Sequence, residues 1–153
     1  MSPQPDTIHK PAFFSGEVPV ALDIKKRLTV PAKWRNSSLD EVFIVKSLSR
    51  GCLVAMPREV LNEMGEKAAE QASSVEHHQA FKDHFFASAV GCPVDSQGRM
   101  VLPDDFCKFA KLDKEVILAG SGAKFDVWNP SAWQQHRDAA TPIYAPILKS
   151  IGL

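Results

Sequence analysis

One nine-residue pattern occurs twice in this chain, as Asp23-Ile24-Lys25-Lys26-Arg27-Leu28-Thr29-Val30-Pro31 and again as Asp95-Ser96-Gln97-Gly98-Arg99-Met100-Val101-Leu102-Pro103. Asp, Arg and Pro recur at the same three places, and each copy is followed by a bulky aromatic residue, Trp34 or Phe106. The match continues downstream, where residues 39–45 resemble 112–118 and residues 53–57 resemble 126–130. Such self-similarity is typical of a duplicated unit, here of roughly 45 residues.

The chain has 153 residues, which fits one ordinary domain or two very small ones. A unit of roughly 45 residues is too short to bury an adequate core alone, so we expect the two halves to share a core. The expected organisation is a disordered tail over 1–11, unit 1 over 12–57, a helical linker over 58–85, unit 2 over 86–130, and a C-terminal helix and tail over 131–153.

Composition excludes several classes of function. The formal net charge is zero, so any basic surface must be local. No apolar run approaches the roughly 18 residues of a membrane span, and the N-terminus lacks a signal pattern, so we expect a cytosolic protein without a membrane partner. The three cysteines are an odd number without Cys-x-x-Cys spacing, which argues against a disulfide framework and a zinc knuckle.

Apolar and β-branched runs predict the strands of each unit. In unit 1, strands at 13–22 and 27–30 flank a turn at 23–26 as in a hairpin, and a short helix starts at Pro31. A second strand pair follows at 42–45 and 52–56. Unit 2 repeats the scheme with strands near 86–94, 99–102, 115–119 and 124–128.

Capping and periodicity signals predict the helices. Val60, Leu61 and Met64 fall at helical spacing after Pro57. Ser73 and Glu76 have the spacing of a capping box, which predicts a second helix running toward Phe85. Asn129 followed by Pro130 predicts an N-cap and a helix through about Arg137, beyond which Pro142 and Pro146 should break regular structure. The expected fold class is mainly β with short helices, α+β.

A local basic cluster is the main candidate for function: Lys25, Lys26, Arg27, Lys33 and Arg35, with no carboxylate among them. At a hairpin tip and the next short helix, such side chains can reach phosphates while an arginine reads guanine, since a β-ribbon fits the major groove. The alternative is an ordinary solvated charge run. Recurrence of the arginine as Arg99 favours a DNA-binding function, although Asp104 and Asp105 make the second copy electrostatically weaker.

The paired Asp-x-x-Gly-Arg-x-x-x-Pro patterns, together with Leu118-Ala119-Gly120 and Phe125-Asp126-Val127-Trp128, resemble the MraZ family of bacterial transcriptional regulators over about residues 13–133. The resemblance implies two SpoVT/AbrB-type units that form a double swapped-hairpin β-barrel, a pseudo-dimer within one chain. It also implies a nucleoid-associated homo-oligomer, ring-like, that binds short direct repeats in double-stranded promoter DNA of the division and cell wall gene cluster, usually as a repressor. The implied DNA contacts are Lys25, Arg27 and Arg99.

The motif departs from the family pattern at two positions. The family usually has Lys-Gly before the arginine, whereas this chain has Lys25-Lys26 and Gln97-Gly98. Glycine suits a turn residue with positive φ, and a lysine there costs about 1 kcal/mol, which leaves a different turn open for the first tip. Asp23 and Asp95 are expected to hold the turns through side-chain to backbone hydrogen bonds.

Other chemistry is poorly supported by the sequence. His77 and His84 could share a helix face, but no third ligand is fixed, so we expect no metal and no cofactor. No nucleophile-base pair or phosphate-binding glycine loop is identifiable, so we expect no enzyme. We interpret Trp34, Phe106, Trp128 and Trp133 as core residues rather than base-stacking platforms. The competing function is an antitoxin-like protein-interaction module without direct DNA binding.

Overall fold

The computed structural model describes residues 11–36 and 39–153. Within these ranges the strands are β1 Glu17–Ala21, β2 Arg27–Thr29, β3 Glu41–Ser47, β4 Cys52–Met56, β5 Val90–Pro93, β6 Arg99–Val101, β7 Glu115–Gly120 and β8 Phe125–Trp128. The helices are α1 Arg58–Gln71, α2 Val75–Ser88, α3 Asp104–Phe109 and α4 Pro130–Ser150, and a 3₁₀ turn spans Ala32–Trp34. The mixed α+β class is confirmed, although the helices are longer than expected. Of the expected disordered tail over residues 1–11, residues 1–10 lie outside the described residues.

The strands form two sheets whose ladders are all antiparallel. Six strands lie in the order β1-β7-β8-β4-β3-β5, and β2 pairs with β6 in a separate two-stranded ribbon. The expected hairpin of residues 13–22 with 27–30 is therefore not a ladder, because β1 pairs with β7 and β2 pairs with β6 of the other half. In the same way β5 pairs with β3 of the first half. The large sheet and the ribbon therefore each contain strands from both halves of the chain.

The pairing registers of the two halves match. In the ribbon, Leu28 faces Met100, and these residues hold the same place in the two nine-residue stretches. In the large sheet, Val54 faces Asp126 at the middle of the β4–β8 ladder. Val54 and Asp126, like Leu28 and Met100, are 72 residues apart, and the same spacing aligns Pro57 with Asn129, one residue away from the sequence match of residues 53–57 with 126–130. Pro57 is the N-cap of α1, whereas Pro130 begins α4, so the two prolines serve different positions.

A single main core draws on both halves. Phe14 and Trp34 from the first half pack with Phe125 from the second, with ring centroids 5.1–5.6 Å apart. Trp34, Phe106 and Trp128 are at most 4% exposed, as expected for core residues rather than stacking platforms. A second cluster, which includes Met56, Leu61 and Trp128 with Trp133 packed against it, lies where α1 and α4 meet the large sheet.

The second of the two middle helices, α2, begins one residue later than the capping pattern predicted. Ser74, not Ser73, is the N-cap of α2, and its hydroxyl accepts the backbone N–H of His77 at 3.1 Å. The Ser73 hydroxyl instead contacts the ring Nδ1 of His77. Two adjacent serines offer the same capping chemistry, so the sequence pattern could not separate them.

The last helix extends well beyond its predicted end at Arg137. Asn129 caps α4 as predicted, accepting backbone N–H groups of Ser131 and Ala132, but the helix runs to Ser150 through Pro142 and Pro146. Because the prolines are four residues apart, they remove hydrogen bonds along one side of the helix only. The helix therefore continues where sequence rules predicted a break. None of the described helices combines the length and apolarity required to cross a membrane.

Candidate nucleic-acid interface

The first candidate loop is a tight turn organised by the carboxylate of Asp23. Its Oδ1 accepts the backbone N–H groups of Lys25 (2.9 Å) and Arg27 (2.8 Å), and its Oδ2 accepts the Arg27 Nε at 2.7 Å. The backbone N–H of Lys26 donates to the Asp23 carbonyl at 3.0 Å. The hydrogen bonds from the Arg27 backbone and side chain lower the pKa of Asp23, so it is a carboxylate at neutral pH.

The second loop repeats this geometry bond for bond. Asp95 Oδ1 accepts the backbone N–H groups of Gln97 and Arg99, both at 2.9 Å, and its Oδ2 accepts the Arg99 Nε at 2.9 Å. The Gly98 N–H donates to the Asp95 carbonyl at 2.9 Å. The backbone hydrogen bond from Arg99 lowers the pKa of Asp95 in the same way. These loops are the two matched turns of the structure.

The two turns have the same backbone conformation despite their different sequences. Lys26 has φ of 61° and Gly98 has φ of 82°, so the lysine occupies the left-handed region and no alternative turn forms. The carbonyls of both residues accept hydrogen bonds across the halves at 2.8 Å, from the N–H of Leu102 to Lys26 and from Val30 to Gly98. These interstrand bonds fix the turn that the lysine disfavours locally.

The two motif arginines lie at the surface rather than in the core. The side chains of Arg27 and Arg99 are 36% and 40% exposed, and each uses Nε to contact its motif aspartate. Among the described residues no hydrogen bond uses their terminal nitrogens. The aspartate thus orients the guanidinium while the outer edge stays accessible, which suits a bidentate acceptor such as a guanine edge or a phosphate.

The ribbon of β2 and β6 presents these arginines on one face, diagonally across from each other. Arg27 lies directly across from Val101, and Arg99 lies across from Thr29. All four side chains are at least partly exposed, because residues alternate along a strand while Leu28 and Met100 point into the core. The outer face therefore combines two cations with two methyl-bearing side chains.

Sequence reasoning missed Thr29 and Val101 as candidate contacts. Val101 is 54% exposed, which is unusual for a large apolar side chain on a strand. The signal was present in the motif, since both residues lie two positions after the arginine and must share its face. The apolar Ile24 at the tip of the first loop is 96% exposed and was also missed.

The other cations of the basic cluster are placed differently. Lys25 is exposed and Lys26 half-exposed on the first loop. Lys33 is exposed, but its Nζ lies near Gly16, 3.3 Å from where a Cβ there would be. The guanidinium of Arg35 packs against Gly98 of the second loop, and its buried Nε has no partner among the described residues. Arg35 is therefore part of the loop packing rather than an exposed cation.

Nearby lysines pair with the carboxylates that follow the second loop. Asp104 pairs with Lys108 at 2.9 Å, and Asp105 pairs with Lys46 at 3.1 Å. The hydrogen bond from Lys108 lowers the pKa of Asp104, and Lys26 adds to this effect through its charge. The Asp104 carboxylate thus reduces the positive field around Lys26 of the first loop, whereas the sequence had associated it with the second.

The described residues contain no group of three or more His, Cys, Asp or Glu side chains arranged to hold a metal ion. Cys52, Cys92 and Cys107 are buried and unpaired. Burial raises the pKa of Cys52 and Cys92 to about 11, so both are protonated thiols at neutral pH. Their arrangement is that of small apolar core residues.

The fold and the two loops define a class of mixed α+β protein in which two matched, arginine-bearing turns lead into one two-stranded ribbon shared by both halves. A family model described as "MraZ protein, putative antitoxin-like" matches residues 85–142. The chain is 33% identical over 139 residues to the protein named Transcriptional regulator MraZ from Heliobacterium modesticaldum, covering 91% of this chain and 96% of that protein. The corresponding protein of Carboxydothermus hydrogenoformans gives the same identity and coverage.

A further relative of the same name, from Leuconostoc citreum, is 36% identical over 124 residues, covering 81% of this chain and 86% of that protein. The chain belongs to the MraZ family.

Proposed function

We propose that this chain is a sequence-specific, DNA-binding transcriptional regulator that has no catalytic activity and needs no cofactor. In this proposal it acts in the cytoplasm at the nucleoid and represses the division and cell wall gene cluster by binding short direct repeats in promoter DNA as a homo-oligomer. The observation that carries the proposal is the β2–β6 ribbon, whose outer face holds Arg27 and Arg99 with their guanidinium edges accessible.

The fold proposal is a double swapped-hairpin barrel built from a tandem duplication, with the unit boundaries given by the sequence. The matched exchange of β1 onto β7 and β5 onto β3 supports it. So does the bond-for-bond agreement of the two loops. In a ribbon built this way a two-stranded element can enter the major groove, where arginine pairs with guanine and methyl groups contact thymine.

Affinity should come chiefly from the first loop. Lys25 and Lys26 flank Arg27 there, whereas Gln97 and Gly98 precede Arg99. A few phosphate contacts from one copy would support only weak binding, with a dissociation constant on the order of 10⁻⁴ to 10⁻⁶ M. Tight binding to tandem repeats therefore requires several copies at once, which is why the proposal includes an oligomer.

The decisive experiment is footprinting of the purified full chain on the DNA upstream of its own gene. We expect protection of short, regularly spaced repeats, with competition by the same DNA and not by unrelated DNA. The matching family is described as antitoxin-like, which supports one second candidate function. This candidate is a protein-interaction module without DNA binding. Absence of any protected repeat would contradict the DNA-binding proposal and favour that module.

A further inference from the structure

The C-terminal half of α4 carries apolar side chains that face water. Ile143 is 70% exposed, Ile147 55% and Ile151, directly after the helix, 67%. These three residues, hereafter the apolar stripe, follow the four-residue spacing of one helix face. Lys149 is the single charged residue between positions 139 and 153. The stripe belongs to neither cluster of the described core.

Within the described residues, this half of α4 has no apolar packing partner in either core cluster. Pro142 and Pro146 each remove a backbone hydrogen bond, and isolated helices of this length are marginal in water. Tertiary packing of an apolar face is what normally sustains such a helix. The stripe is the apolar face available for that packing.

A groove of about 670 Å³ lies beside the first half of the same helix. Trp133, His136, Ala140 and Tyr144 line one wall, and Ala119 and Gly120 of β7 line the other. The indole N–H of Trp133 is buried and has no hydrogen-bond partner among the described residues. Charged groups in the groove are already paired, Arg137 with Glu17 at 2.7 Å and Arg50 with Asp126 at 2.6 Å.

The matching place in the first half of the chain is filled by a helix. α1 follows β4 and contacts β3, just as α4 follows β8 and contacts β7. There α2 packs against both α1 and β3, with the ring of Phe86 seated on Gly65. In the described part of the chain no helix packs in the corresponding way against α4. The groove thus has the position and surroundings of a seat for a helix.

We propose that the apolar stripe of one copy occupies the groove of a second copy of this chain. The groove and the stripe belong to one continuous helix, so a single chain cannot bring them together. An almost uncharged helix face also suits a groove whose charges are internally paired, since docking leaves no new charge unpaired. This inference rests on the homo-oligomer of the proposed function and specifies the contact between its copies. Its test requires no DNA.

The test compares the mass of full-length variants by size-exclusion chromatography with light scattering. Ile147→Asp places a charge on the stripe, and Ala140→Trp fills the groove. Val75→Asp is the matched control, because Val75 is 87% exposed on α2 and far from both surfaces in sequence. Circular dichroism melting verifies that each variant is folded. We expect the unaltered chain and Val75→Asp to assemble and the other two variants to be monomers.

Mixing the two defective variants tests the geometry of the contact. Ile147→Asp retains an intact groove and Ala140→Trp retains an intact stripe, so the mixture should form a two-chain species that neither forms alone. Either a two-fold dimer or a ring for the unaltered chain agrees with the contact. An Ile147→Asp variant that still assembles, or a mixture that stays monomeric, overturns the inference while leaving assembly itself standing. A monomeric unaltered chain overturns both.

Discussion

The guanidinium of Arg35 occupies the space that a side chain on Gly98 would need. A Cβ built on Gly98 would lie 2.6 Å from the Arg35 Cζ. At the matching place in the other half, Lys26 has a side chain, and the position that matches Arg35 is Cys107. Burial raises the pKa of the Cys107 thiol, and the charge of the nearby Lys26 opposes this effect. The second loop thus combines Gly98 with the large Arg35, whereas the first loop combines Lys26 with the small Cys107.

This relationship predicts opposite stability effects at matched positions. Gly98→Ala should lower the free energy of unfolding by about 2 kcal/mol, because it adds positive-φ strain to a collision with Arg35. Lys26→Gly should raise it by up to about 1 kcal/mol, because it relieves the same strain without a collision. Urea denaturation measures both. Arg35→Ala should remove part of the Gly98→Ala loss in a double-mutant cycle, and full additivity would contradict the contact.

Removing the first motif arginine should weaken binding to promoter DNA. We expect Arg27→Ala to cost about 1–3 kcal/mol, or roughly 5- to 150-fold in affinity, because a bidentate base contact is lost. Fluorescence anisotropy with operator DNA measures it. Arg58→Ala is the matched control, since Arg58 is an exposed arginine on α1 that pairs with Glu41. Equal losses for the two variants would mean that net charge, not the ribbon, governs binding.

Phosphate contacts predict a steep salt dependence. The logarithm of the affinity should fall linearly with the logarithm of salt concentration, with a slope of about −0.9 for each phosphate neutralised. Lys25 is exposed at the tip of the first loop, so Lys25→Gln should reduce the slope by about 1 without changing the preferred sequence. A salt series of binding isotherms tests this, and a flat response in the unaltered chain would exclude phosphate contact.

The two motif aspartates should make the stability of the protein fall at acidic pH. Their folded-state pKa values lie below the ordinary value of 3.8, so the unfolded chain binds these protons more readily. Their contribution is complete above pH 3.8 and is lost as the pH falls through the lower folded-state pKa. The Asp23→Asn, Asp95→Asn double variant should be less stable at neutral pH and lose less stability on acidification. Thermal melting between pH 2 and 7 compares the two slopes, and parallel curves would contradict the assignment.

Local signals predicted much of the secondary structure. The repeated motif placed both turns, and Asn129 was the helix cap that its side chain predicted. The alternation of buried and exposed residues along a strand also predicts that Thr29 and Val101 face outward, although the sequence analysis did not identify them. The failures were local rules overridden by packing. Lys26 adopts a glycine-like turn because cross-half hydrogen bonds hold it, and α4 passes Pro142 and Pro146 because they affect one side of the helix.

The sequence by itself showed that the Asp-to-Arg motif occurs twice, and it predicted two similar units of which neither could bury a core alone. Only the tertiary structure decided that β1 joins β7 and that β2 joins β6. The physical reason is that hydrophobic alternation specifies which face of a strand is buried but not which strand will lie beside it. Partner choice depends on the shared burial of distant residues such as Leu28 and Met100, which no local pattern records.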